Sequence, residues 1–297
     1  MIDRLETLAR QLETSPDFRV LRRLRRRETF AEVQGNTRIG VVLDCETTGL
    51  NPAQDEIIEL AMLKFAFTSS GQVLRVVDAF DQLRQPSTPI PAEITALTGI
   101  TDEMVEGRSI EATDVEAFVA DASIVIAHNA RFDRAFAERA WTSFRDIDWA
   151  CSLDQIPWRE HGYEGRQLAQ LVAHQGCFFN THRAEDDCRA LLHLLASPLA
   201  PEEPSALSVL LGKAAETAIR LYAANAPFAA KDILKGRGYR WSVGSEGALK
   251  AWWKDFSPTE YALEVGFLQA NVYDGRRIRL PTAKITARER YSARLLR

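Results

Sequence analysis

The sequence predicts an α/β protein made of one larger and one smaller unit. Three observations carry that expectation. Between residues 38 and 195 short apolar strands alternate with amphipathic helical stretches. A proline-rich, acidic stretch, SPLAPEEPSA, then interrupts the pattern and can continue neither a helix nor a central strand. The length of 297 residues suits two domains, since domains typically run to about 100–200 residues.

Taken in order, residues 2–29 begin with Leu5, Leu8 and Leu12 at helical spacing and continue into RVLRRLRRRE, which predicts one or two helices around a Ser15-Pro16-Asp17 break. Six arginines fall between Arg19 and Arg27, and they read either as a solvated helix face or as a phosphate-contacting arm. Strands are predicted at 39–45, 59–68, 73–83, 123–127 and 148–153, and helices at 131–141, 167–174 and 184–196. After the proline-rich stretch, residues 207–224 read as a helix and the remainder as a small α+β unit with a basic tail. The domain organisation is therefore an N-terminal helical arm (1–36), an α/β domain (37–197), a linker (198–206) and an accessory α+β domain (207–297).

With 46% hydrophobic and 26% charged residues, the composition is that of an ordinary globular chain with a real core. Cys45, Cys151, Cys177 and Cys188 form no CxxC pair, so neither a zinc site nor a disulfide framework is suggested. The first residues lack the apolar run of a secretory signal, and no stretch reaches the roughly 18 apolar residues of a membrane span. These features predict a cytoplasmic protein with no membrane partner. The formal charge of −4 hides an asymmetry: from Gly212 onward sixteen Lys and Arg face eight Asp and Glu, a hint of polyanion binding.

Three segments bear on chemistry. In VVLDCETTGL, strand alternation puts Val42, Asp44 and Glu46 on one face and Val41, Leu43 and Cys45 on the other. Two ionised carboxylates side by side at the end of a buried strand are costly unless cations compensate them, and hard divalent ions with oxygen ligands do so. In IVIAHNARFDRAF a strand runs through His128 and Asn129 into a helix with Asp133 in its first turn, where the helix dipole favours an acid in any case. In THRAEDDCRALLHLLA, the apolar stripe of Ala184, Cys188, Leu191, Leu192 and Leu195 places Asp187 at its edge and Asp186 toward water. His182 precedes that helix by two residues, either capping it or presenting its imidazole near Asp187.

VVLDCETTGL, AHNARFDRAF and HRAEDDCRA, in that order, resemble the three exonuclease motifs of the DEDDh family, whose members include the proofreading epsilon subunit of bacterial DNA polymerase III. ITALTGIT, at 94–101, also resembles the segment such domains carry between the first two motifs. The resemblance implies a ribonuclease H-like domain with a mixed central sheet flanked by helices, and a 3′→5′ exonuclease that releases nucleoside 5′-monophosphates. It implies two divalent cations, Mg²⁺ or Mn²⁺. Asp44 would bridge them, Glu46 and Asp187 would hold the ion serving the attacking water, and Asp133 would serve the other. His182 becomes the candidate general base, imidazole being the side chain that exchanges protons near neutral pH. Thr47, Thr48, Gly49 and Leu50 resemble the part that receives the terminal nucleotide, Gly49 allowing close backbone approach and Leu50 wedging against a base.

In the C-terminal unit Arg237, Arg240, Trp241 and Trp252 interleave cations with aromatics, as do Lys231, Lys235, Tyr239, Lys250, Trp253 and Lys254. That composition suits single-stranded nucleic acid, whose bases stack on rings while cations follow the phosphates, and equally a small core with a solvated rim. Arg276, Arg277, Arg279, Lys284, Arg288, Arg290 and Arg294 add positive charge. The expected partner is the 3′ end of a nucleic acid, single-stranded DNA favoured, in proofreading or repair with a polymerase or repair partner. The competing readings are an RNA-trimming exoribonuclease and a catalytically silent nucleic-acid-binding module.

Overall fold

The computed structural model describes residues 2–32, 35–244, 249–276 and 278–292. Arg277 and Arg294 of the basic tail lie outside the described residues. Helix α1 (Ile2–Glu13) opens the chain, and of the one or two helices expected before residue 30 it is the one formed among the described residues. The arginine run is extended, with a short strand β1 (Arg22–Arg23). Successive cations on a helix would repel at i,i+3 and i,i+4 spacing; extended, they find separate partners. Arg22 pairs with Glu6 at 2.9 Å and Glu13 at 2.6 Å, Arg23 donates to Asn180 Oδ1 at 3.1 Å, and Arg26 pairs with Glu185. The backbone N–H groups of Arg22 and Leu24 donate to the carbonyls of Gly176 and Phe178, both at 2.8 Å.

The central sheet contains β2 (Thr37–Thr47), β3 (Ile57–Thr68) and β4 (Val73–Leu83), followed, after helices α2 (Ala92–Thr98), α3 (Asp102–Val105) and α4 (Ala112–Val119), by β5 (Ile124–Ala127). Helix α5 (Ala130–Ala140) leads to the last strand, β6 (Trp149–Cys151). The order is β4-β3-β2-β5-β6, antiparallel through β4, β3 and β2 and parallel from β2 to β6. Strand β3 is buried along nearly its whole length because helices or strands cover both faces, which is why its sequence is a near-continuous apolar run. Helices α6 (Ser152–Gln155) and α7 (Leu168–His174), strand β7 (Cys177–Phe178) and helix α8 (Ala184–Ala196) follow; β7 pairs in parallel with β1. Val42, Ala61 and Leu63 meet Leu171, Cys188 and Leu191 on one face of the sheet, while Val41, Leu43 and Cys45 meet Val115, Phe136 and Ala137 on the other.

The helix expected over 207–224 is two elements: α9 (Ala206–Ala215) and, from a break at Glu216, strand β8 (Ala218–Ala223). Ile219 and Tyr222 are β-favouring residues, and neighbouring strands pair with β8 on both sides, which overrides the helical spacing. Helix α10 (Lys231–Gly236), strands β9 (Arg240–Trp241) and β10 (Trp252–Phe256), helix α11 (Pro258–Asn271) and strand β11 (Thr282–Ile285) complete a four-stranded sheet of order β11-β8-β10-β9, antiparallel throughout. Ser257 and Glu260 form a capping box at the start of α11.

Helix α9 belongs to the larger core, through Ala206, Leu207, Leu210 and Ala214. The proline-rich stretch is thus a surface turn, bridged by Pro198 and Ser205, ahead of a helix in that core, and the smaller sheet begins at β8 rather than at residue 207. The fit is close: Ser205 Oγ donates to the Gly71 carbonyl at 2.8 Å, and a Cβ on Gly71 (φ +84°) would sit 2.5 Å from Ser208 Cα.

The chain returns to the larger unit at its end. Trp149 N–H, on the sheet edge, donates to the Ala287 carbonyl at 2.9 Å, covering an edge that would otherwise be open. Arg134 of α5, fully buried, donates to the carbonyls of Arg288 and Arg290 at 2.6 Å each and pairs with Glu138, which accepts from Ser292 Oγ at 2.7 Å. Arg134→Met leaves Glu138 as a buried, unpaired charge and should cost about 3–5 kcal/mol in urea unfolding, whereas Arg134→Met with Glu138→Met should recover most of that loss. A neutral single variant would show that this network does not hold the tail.

Candidate active site

Strand β2 enters the sheet interior with Val41, Leu43 and Cys45 against α4 and α5, so its alternate residues Asp44 and Glu46 face α8. Helix α8, anchored by Ala184, Cys188 and Leu191, presents Asp187 to them. One carboxylate oxygen each from Asp44, Glu46 and Asp187 lies within 4.8 Å of the others. Asp186 turns aside and takes the Asn180 side-chain amide at 3.3 Å.

Asp133 approaches from the first turn of α5. It is buried, and its Oδ1 accepts from the Cys45 backbone N–H at 3.3 Å and from Cys45 Sγ at 3.5 Å. The strand-to-helix turn before it is forced: Asn129 has φ 139°, a conformation that side-chain-bearing residues rarely adopt. His128, one residue earlier, lies between Ser152 Oγ at 2.8 Å and the Arg166 carbonyl at 2.8 Å. Because a carbonyl only accepts, Nε2 carries the proton and Nδ1 accepts from Ser152. Burial lowers the His128 pKa to about 4, so the ring is neutral at physiological pH and fixes the turn.

The carboxylates share one low-dielectric corner. Burial, then the charges of Asp133 and Asp187, hold Asp44 well above the usual carboxylate range. Burial and Asp187 raise Glu46 to about 8. Asp133 and Asp187 are raised to about 7, chiefly by burial, although the Cys45 and Arg183 hydrogen bonds pull the other way. An oxygen-only, anionic donor set that repels itself is the chemistry a hard divalent cation satisfies.

His182 is exposed on the loop before α8, with φ 63°, and is not part of the group of three oxygens. Its neighbour Arg183 pairs with Glu59 at 2.9 Å, and Glu59 also accepts the Ala184 N–H at 3.0 Å. Glu59 lies opposite Glu46 in the β2–β3 register. Sequence reasoning missed this pair. The available signal was a lone acid inside the apolar run IIELAML, since a buried charge needs a partner.

The turn after Glu46 is tightly bonded. Thr47 Oγ1 donates to the Gly49 carbonyl at 2.6 Å, Thr48 N–H to the Glu56 carbonyl at 2.9 Å, and Glu56 N–H to Thr48 Oγ1 at 3.0 Å. A Cβ on Gly49 would lie 2.6 Å from the Asp55 carboxylate, so a larger residue there must displace that side chain. Leu50 projects into solvent, 84% exposed. Beside this turn a cavity of about 460 Å³ is lined by Asp55, Glu56, Arg84, Ser87, Phe136 and Arg139.

The C-terminal candidates divide. Arg237 is engaged internally, paired with Glu264 at 2.5 Å and stacked on Phe267 at 3.6 Å. Trp252 is partly buried against the smaller core, edge-to-face with Trp241 at 5.4 Å. Arg240 and Trp241 are exposed on the edge strand β9.

A sheet that brings carboxylates from β2, α5 and α8 to one corner defines a class of metal-dependent nucleic-acid hydrolases. The sequence pattern of the exonuclease (RNase_T) family matches residues 41–195, and the chain belongs to that family. It is 41% identical over 156 residues to a DNA polymerase III PolC-type of Thermotoga maritima, covering 50% of this chain and 11% of that protein. With the same-named protein of Bacillus subtilis it shares 37% over 116 residues, 37% of this chain and 7% of the other. The chain therefore spans about a tenth of the length of these curated relatives. Among solved structures it is similar to exonuclease X in complex with 5′ overhanging duplex DNA (TM-score 0.39, 23% identity, 52% of this chain and 90% of that one). It is also similar to E. coli exonuclease I with an oligonucleotide (TM-score 0.47, 14% identity, 74% and 63%).

The raised carboxylate pKa values fix the sign of a pH effect. The folded chain keeps protons that the unfolded chain releases near about pH 4, so above that pH unfolding releases protons and folded stability falls as pH rises toward the folded values of about 7 to 8. In EDTA, Asp44→Asn should raise Tm relative to the unaltered protein, by more at pH 8 than at pH 5. Mg²⁺ should stabilise the unaltered protein most at pH 8. A pH-independent difference between the two proteins would contradict this electrostatic account.

Proposed function

We propose that this protein is a 3′→5′ exonuclease that hydrolyses DNA from the 3′ end to nucleoside 5′-monophosphates, in proofreading or repair. The observation that carries the reading is the convergence of Asp44, Glu46 and Asp187, with Asp133 adjoining, inside the segment matched by the exonuclease family. The relatives named as DNA polymerases support DNA over RNA.

Two divalent cations, Mg²⁺ or Mn²⁺, held by Asp44, Glu46, Asp133 and Asp187, would supply positive charge at the attacking and leaving oxygens. The chain's own residues do the rest. Thr47, Thr48 and Gly49 receive the terminal nucleotide along their backbone, and Leu50, already projecting from the turn, wedges against its base. His182 takes a proton from the attacking water on its imidazole nitrogen. The water oxygen bonds to phosphorus, the bond to the penultimate 3′ oxygen breaks, and that oxygen leaves with a proton from solvent. The Arg183–Glu59 pair keeps the His182 loop against the sheet.

The test is a degradation panel with Mg²⁺ and with Mn²⁺ on 5′-labelled single-stranded DNA, a 3′-mismatched duplex and single-stranded RNA. The expected outcome is a ladder shortening from the 3′ end, faster on DNA. Asp44→Ala should reduce the rate on the order of 10³-fold or more, and His182→Ala should lower kcat by about 10²–10⁴-fold. Faster RNA turnover would favour an RNA-trimming enzyme, and no product with either metal would favour a binding module.

A further inference from the structure

The smaller unit carries a cavity of about 260 Å³ between the turn that follows β8 and the connection from α11 to β11. Val272, Ile278 and Leu280, which belong to the core of that unit, form its floor, and Pro227 carries the apolar lining out to the surface. The Tyr273 hydroxyl beside them is already spent on the Ala224 carbonyl at 2.7 Å. Asn225 and Asp274 stand at the rim in left-handed conformations, with φ 56° and 51°, where short polar side chains are the ones tolerated. Arg276 and Arg279, both exposed, complete the rim.

Two features of this surface are left without partners. Neither Arg276 nor Arg279 has an ion pair or a side-chain hydrogen bond among the described residues, and Asp274 is the one acid in the lining. Next to Pro227, Phe228 is 87% exposed, with Lys231 Nζ 5.6 Å from its ring. A phenyl ring left in water beside an apolar cavity and free cations marks a contact surface rather than a scattered surface residue.

We infer that this cavity docks an acidic segment of a partner protein. One aliphatic side chain of the segment sits on Val272, Ile278 and Leu280, its flanking carboxylates pair with Arg276 and Arg279, and Phe228 covers its edge. The volume lies below the roughly 300–1,000 Å³ of pockets that enclose whole small molecules, and suits a single anchoring side chain. Guanidinium forks match carboxylates in a two-pronged geometry, which accounts for free arginines at the rim. A nucleobase fits less well, because its edges carry donors and acceptors that an aliphatic floor leaves unpaired, whereas an aliphatic side chain loses no hydrogen bond on leaving water. The cavity lies outside the segment matched by the exonuclease family, and the inference does not depend on the chemistry at Asp44.

The test uses the full chain in EDTA, where hydrolysis is silent. Fluorescence anisotropy follows a labelled peptide with one leucine flanked on each side by aspartates, the same peptide with glycine for leucine, the same with lysines for aspartates, and a short single-stranded DNA. The leucine peptide should bind with an affinity that falls as salt rises. The glycine peptide should bind about tenfold or more weakly, the expected loss for one buried aliphatic side chain. Arg276→Gln with Arg279→Gln should weaken the leucine peptide about tenfold and remove most of its salt dependence. Phe228→Ala should weaken it about threefold or more. Both variants change exposed side chains, so Tm and the hydrolysis of a trinucleotide with Mg²⁺ should stay as they are. Absence of binding by the leucine peptide overturns the inference, as does equal binding of the leucine and glycine peptides or of the aspartate and lysine peptides. A glutamine pair that weakens DNA while the acidic peptide stays unbound assigns the cavity to nucleic acid and overturns it too. Should the glutamine pair lower Tm, Phe228→Ala decides, and an unchanged affinity for the leucine peptide in that variant overturns the inference.

Discussion

The structure depends on holding four carboxylates together against their own repulsion. Asp44 and Glu46 sit at the end of a strand whose neighbours on both sides are buried, and Asp187 and Asp133 are brought to them by helices packed on opposite faces of the sheet. Bringing ionised acids into such a corner costs several kcal/mol per group when nothing compensates them. The core offsets that cost: β3 is buried along nearly its full length, and the helices that carry Asp133 and Asp187 are locked by apolar contacts on each side of β2.

Much of the remaining polar architecture steadies those two helices. Glu59, buried opposite Glu46, takes both the Arg183 guanidinium and the Ala184 N–H, fixing the first turn of α8 and the loop with His182. The N-terminal arm acts on the same loop from outside, through β1 on β7, Arg23 on Asn180 and Arg26 on Glu185. On the other face, Arg134 and Glu138 bind the returning tail to α5. The chain's two ends, neither within the segment matched by the family, thus brace the two helices that deliver acids.

Local sequence was a good guide where one interaction dominates. Strands β2 to β5 and helices α5, α7 and α8 follow the hydrophobic periodicity closely, and helical phase alone separated Asp187 from Asp186. It was a poor guide where partners are distant. Residues 19–27 looked helical but became extended because Glu6, Glu13, Asn180 and Glu185 drew the arginines apart. Residues 216–224 looked like the end of a helix but became a strand because β10 and β11 lay on either side. Arg237 read equally as a phosphate contact or as the rim of a small core, and its pairing with Glu264, 27 positions away, lies outside the reach of local pattern.

Which way the acids point was legible in the sequence alone, because strand alternation puts Asp44 and Glu46 on one face and helical phase puts Asp187 at the edge of an apolar stripe; that they serve a metal rested on the resemblance. Whether they meet was not legible, since nothing in VVLDCETTGL specifies where α5 or α8 will pack. Tertiary structure also decided what pairs with what: Glu59 with Arg183, Arg134 with the tail carbonyls, and Arg131 with the ring of Trp253 from the smaller unit. Each of those contacts joins residues more than a hundred positions apart, so its energy exists only after the chain has closed on itself.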